Sequence, residues 1–110
     1  MTIKEMRNKD ILRLAETLTT DPTAAEIEKA AKAMRAFYRF SSAYIASFYT
    51  EQSRTATHAQ KAEADQKSET AYKKAADLLN IYNMRISCPG LYPIIEHKNG
   101  INFSYGHYYN

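Results

Sequence analysis

A thiol and two imidazoles gather near the end of this chain: Cys88, His97 and His107. A cysteine with a histidine beside it is the minimal kit for nucleophilic catalysis, because the imidazole takes the thiol proton and leaves a reactive thiolate. The setting of Cys88 argues for another role. It stands directly before Pro89-Gly90, where a small apolar side chain filling a gap at a helix end is the commoner use. Metal binding asks for two ligands on one helix face or in one turn, and His58, His97 and His107 have no such spacing. The sequence contains no glycine-rich phosphate loop, no Ser-His-Asp order and no metalloprotease helix motif. No residue is therefore assigned a catalytic role, no metal or cofactor is expected, and the expectation is a protein without enzymatic activity.

Two other groups of side chains are suited to meeting a partner. Lys29, Lys32, Arg35 and Arg39 recur at three- and four-residue intervals, which on a helix builds a cationic ridge able to track phosphates or an acidic protein. A solvated helix face carries such residues as well. The second group is aromatic. Phe37, Tyr38, Phe40, Tyr44, Phe48 and Tyr49 sit at the spacing of a helical core stripe. Tyrosine is amphipathic, however, and with arginine is enriched where proteins grip one another. With nine Tyr and no Trp in 110 residues, Tyr38, Tyr49, Tyr105, Tyr108 and Tyr109 are the candidate partner contacts.

These residues need elements to hold them. Thr2 with Glu5 has capping-box spacing and opens a helix expected over residues 2–19, with Ile3, Ile11, Leu14, Ala15 and Leu18 on one stripe. Asp21-Pro22, overlapped by a second box at Thr23 and Glu26, starts a central helix over 22–50. Its apolar arc covers roughly half of the helix surface, wider than the ~100° stripe that one neighbour covers, so two elements should pack on it. From Thr50 to Ala71 no large apolar residue occurs. The chain there either continues as one long helix or folds back; the fold-back is favoured, because Thr57 with Gln60 can restart a helix and a lone polar helix gains little from packing. A third helix is expected over 57–87, stopped by Cys88-Pro89-Gly90.

Residues 91–105 read as a β-hairpin around a three-residue Lys98-Asn99-Gly100 loop with Gly100 left-handed. That register sets Phe103 opposite Ile95 and places Ile95, Ile101, Phe103 and Tyr105 on one face. The fold class is thus mainly α, an antiparallel bundle of two to three helices in one domain with a C-terminal β-hairpin.

Composition bounds the function. Hydrophobic residues at 45% and charged residues at 25% are globular proportions. A net charge of +3 permits acidic partners without demanding them. One cysteine excludes an internal disulfide framework and fits a reducing compartment. No apolar run reaches the ~18 residues of a membrane span. The expectation is a small cytoplasmic protein-binding module, an adaptor or inhibitor of the kind found on phages and mobile elements. It should bind a protein partner and self-associate as a dimer, with no membrane contact. The alternative is nucleic-acid binding along the Lys29, Lys32, Arg35 and Arg39 ridge.

Overall fold

Three threonines set the helix starts in the computed structural model, which describes residues 2–105, the Tyr105 side chain excepted. Thr2 caps α1 (Ile3–Glu16), its Oγ1 accepting the Glu5 amide at 3.1 Å. Thr23 caps α2 (Ala24–Gln52) in a full capping box: its N–H donates to Glu26 Oε1 at 2.9 Å, and the Glu26 amide donates back to Thr23 Oγ1 at 3.2 Å. Thr57 and Gln60 repeat the box for α3 (His58–Asn80). Each box satisfies amides that the first turn leaves without an intrahelical partner. The second capping signal thus wins over Asp21-Pro22, and α2 begins two residues later than the expected 22.

The chain folds back between α2 and α3, in the polar window where the sequence pointed. Ser53 holds the turn, its Oγ accepting the amides of Thr55 and Ala56, both at 3.3 Å. The helices run antiparallel: Ser47 of α2 bonds Asp65 of α3, while Phe40, about two turns earlier, meets Tyr72 further along.

The third helix is shorter than its expected span of 57–87. It ends at Asn80, and Asn83 takes a left-handed backbone with φ of 58°, a conformation that asparagine tolerates better than most residues. The chain then enters a strand, β1 (Met84–Ser87), whose burial alternates with period two: Met84 and Ile86 in, Arg85 out. Ile86 therefore belongs to a sheet and not to the helical stripe, and Pro89-Gly90 lies in the loop after β1 rather than at a helix end. With β2 (Ile94–His97) and β3 (Asn102–Tyr105) it makes a three-stranded antiparallel sheet in the order β1-β2-β3.

The β2–β3 turn is the expected three-residue loop. The Gly100 amide donates to the His97 carbonyl at 2.7 Å, and Gly100 has φ of 91°. Glu96 opposes Asn102 as that register requires, but a bulge follows, and Ile95 opposes Ser104 instead of Phe103. The extra residue lets Phe103 and Ser104 both turn inward, whereas Ile101, expected on the buried face, is 61% exposed.

All three layers meet at one end of the molecule. Leu14 of α1, Met34 and Phe37 of α2, Leu79 of α3, Met84 of β1 and Ile95 of β2 are the large buried side chains there. Both α1 and α3 pack on α2, as its wide apolar arc demanded. The first helix stops at Glu16, short of the expected 19, so that Leu18 lies beyond it and is exposed, as is Ile3 within it, while the polar Asp10 is buried with Leu14 and Ala15. Beyond Ser41 on α2, and before Ala75 on α3, Ser47 is the one buried residue. The far end of the α2–α3 pair is thus a two-helix arm that projects from the core and accounts for a length of 51 Å against widths of 29 and 25 Å.

Candidate partner-binding groove

On one side of the arm, helical spacing lines up two walls. Phe40, Tyr44, Ser47 and Phe48 of α2 fall at i, i+4, i+7 and i+8, and Asp65, Ser68, Glu69 and Tyr72 of α3 at i, i+3, i+4 and i+7. Residues at those intervals share one helix face. Cys88, just past β1, completes the lining. The groove encloses about 420 Å³, within the range of ligand-sized clefts.

Its floor is built. Phe40 is buried and makes an edge contact with Tyr72, ring centroids 5.4 Å apart, and a tilted one with Tyr44 at 5.7 Å. Ser47 Oγ donates to Asp65 Oδ1 at 2.5 Å and ties the two walls together. The rim is open: Phe48 is 43% and Tyr72 41% exposed. Phe48 was expected to lie under other elements, but α3 carries only small and polar residues opposite the end of α2, so nothing large reaches it.

Cys88 and Tyr44 line the groove together, and each acts on the other's proton. Cys88 is exposed at its edge, yet the partial desolvation of its sulfur raises the thiol above its ordinary range, against which the Tyr44 phenol pulls downward. Burial also raises the Tyr44 phenol. A thiol held protonated is a poor nucleophile. His97 is committed elsewhere, its ring edge-on to Phe103 at 6.1 Å, and among the described residues no group of three or more His, Cys, Asp or Glu is arranged to hold a metal ion. Among those residues no helix is long and apolar enough to cross a membrane.

No protein-family model, curated protein or solved structure matches this chain.

The residues singled out from the sequence are dispersed. Tyr38 is a core residue, 8% exposed, with the Arg7 guanidinium 4.8 Å over its ring; it offers a partner no surface. Burial raises its phenol far above the ordinary range. Tyr49 is 58% exposed and stacks edge-on against Phe48 at 5.5 Å, but it lines a second groove of about 600 Å³ whose other walls are mainly Ala, Thr and Ser. Tyr105 belongs to β3 by its backbone, and Tyr108, Tyr109 and His107 lie outside the described residues. Lys29, Lys32, Arg35 and Arg39 are all exposed on the outer side of α2, away from the buried stripe. Arg35 is paired with Glu28 at 2.8 Å, so the ridge contains its own counter-charge. The sequence reading missed Tyr72, Asp65 and Glu69 as site residues. The signal was their i, i+4, i+7 spacing, hidden because Tyr72 reads as part of the apolar stripe packing on α2 and Glu69 as part of a solvated face.

Proposed function

We infer that this protein is a non-enzymatic protein-binding module, a small cytoplasmic adaptor or inhibitor, whose contact surface is the groove on its two-helix arm. One observation carries the reading: the arm holds a structured aromatic floor in Phe40 and Tyr44 while leaving the rim residues Phe48 and Tyr72 open to water. Exposed aromatics clustered on a rigid framework are the usual material of binding hot spots. The raised Cys88 thiol favours binding over chemistry at this site. Self-association fits the same surface, since two such arms can pack into a four-helix arrangement.

Substitution separates this from binding along the ridge. Phe48→Ala and Tyr72→Ala should abolish binding to the partner or to a second copy, read by sedimentation and affinity capture, while Arg35→Gln with Arg39→Gln should leave it intact. The opposite pattern would move the function to the ridge. Nucleic-acid binding there remains the second reading, supported by the clustering of Lys29, Lys32, Arg35 and Arg39 on one exposed face.

A further inference from the structure

The groove is acidic on a basic protein. Asp65 and Glu69 line it and no lysine or arginine does, although the whole chain carries +3. The neighbouring grooves of the arm differ: one sets Glu63 beside Lys67, the other sets Glu63 beside Lys67 and Lys74. Phe40, Tyr44, Phe48 and Tyr72 line the same groove as the two carboxylates, Phe40 as its enclosed floor and Phe48 and Tyr72 as rings open to water. Aromatic faces carry negative potential, and carboxylates beside them deepen it. Glu69 has Lys73 at 3.5 Å, but both side chains are mostly in water, where such a pair holds only weakly.

Resting on the protein-binding reading above, we propose that the groove takes the arginine side chain of a partner polypeptide, its guanidinium set between the aromatic rings and the Asp65 and Glu69 carboxylates. Arginine suits the site better than lysine, because a planar guanidinium stacks on a ring and donates to two acceptors at once. The fold already uses this arrangement once. Arg13 lies 4.6 Å over the Phe103 ring while its Nη1 donates to Asp10 at 3.2 Å. A polypeptide, and not a free small cation, is required because Phe48 and Tyr72 form an open apolar rim that only the chain flanking the arginine can cover.

The test selects random twelve-residue peptides displayed on phage against the full chain, then compares one synthetic recovered peptide with its citrulline counterpart, which keeps the shape and removes the charge. Recovered peptides should share an arginine next to an apolar residue. The citrulline exchange should weaken binding roughly tenfold or more. An Asp65→Asn, Glu69→Gln double variant should lose as much for the arginine peptide and discriminate poorly between the two. Peptides without arginine, or a citrulline peptide that binds equally well, overturn the proposal. If such peptides still depend on Phe48, the protein-binding reading survives and only the cationic anchor falls. Peptides indifferent to Phe48→Ala overturn both. A free protein that sediments at twice the chain mass with Cys88 protected from alkylation, and recovers no peptide, assigns the groove to a second copy and also overturns it.

Discussion

Ser104, on the last strand, donates its hydroxyl at 3.1 Å to the buried carboxylate of Asp10, on the first helix, 94 positions away in the chain. With Arg13 donating to the Phe103 carbonyl at 3.5 Å, this bond fastens β3 to α1. Buried carboxylates depend on their donors, so Ser104→Ala should cost about 1–3 kcal/mol, checked by urea unfolding. An unchanged midpoint would mean that the sheet edge is held by apolar contact alone.

The same carboxylate gives the fold a pH dependence of unusual sign. Burial raises Asp10 above its ordinary 3.8, outweighing the Ser104 bond and the Arg13 charge, which lower it. The folded chain then holds the proton more tightly than the unfolded chain. Asp10's contribution is fully favourable below 3.8 and is lost as pH rises through the raised folded-state value. Asp10→Asn should remove that component from the stability profile. Ser104→Ala deletes a bond that favours the charged form and should move the carboxyl higher still in an NMR titration.

Thr57→Ala should destabilise the protein by about 1 kcal/mol through loss of the cap that turns the chain back, and Gly100→Ala by a similar amount. A Cβ on Gly100 would meet nothing within 4 Å, so the second cost is purely the strain of positive φ. Thermal melts of both variants check this; an unaffected Gly100→Ala would show that the loop takes another turn type.

These two residues mark what the sequence made legible. Local chemistry gave the fold-back at Thr57, the caps at Thr2 and Thr23, and the left-handed Gly100. It did not give β1, because Met84 and Ile86 fit a continuing helical stripe as well as a strand, and only pairing with β2 decides between them. The bulge that turns Ser104 inward is likewise set by Asp10, a partner on another element. The groove was half legible: Phe40, Tyr44 and Phe48 stood out by type, but the facing wall of Asp65, Glu69 and Tyr72 became a site only once the antiparallel register of α2 and α3 placed it opposite.

Phe40 and Phe48, eight residues apart on one face, should respond differently to truncation. Phe40 is fully enclosed, and Phe40→Ala should cost roughly 3–5 kcal/mol. Phe48→Ala should cost about 1–2 kcal/mol, since much of its ring is already in water. Equal losses of Tm would show that Phe48 is covered in solution, as a tight dimer would cover it.

Cys88 reports on the groove without further engineering, being the chain's one cysteine. Its raised thiol should react with iodoacetamide more slowly in the folded protein than in urea at pH 8. Tyr44→Phe removes the phenol hydroxyl that favours the thiolate and should slow the reaction further. Faster alkylation in the folded state would indicate an activated nucleophile and reopen an enzymatic role.

The groove's role as a contact surface is tested most directly by placing a photoreactive side chain in it: Phe48→p-benzoylphenylalanine, compared with Arg39→p-benzoylphenylalanine on the ridge, each illuminated in extract from cells that express the protein. From position 48 the expected product is a covalent adduct to one discrete polypeptide, either a partner or a second copy, competed away by unlabelled wild-type protein. From position 39 no such adduct is expected. Adducts from position 39 and none from position 48 would contradict the account and place the binding surface on the basic side of α2.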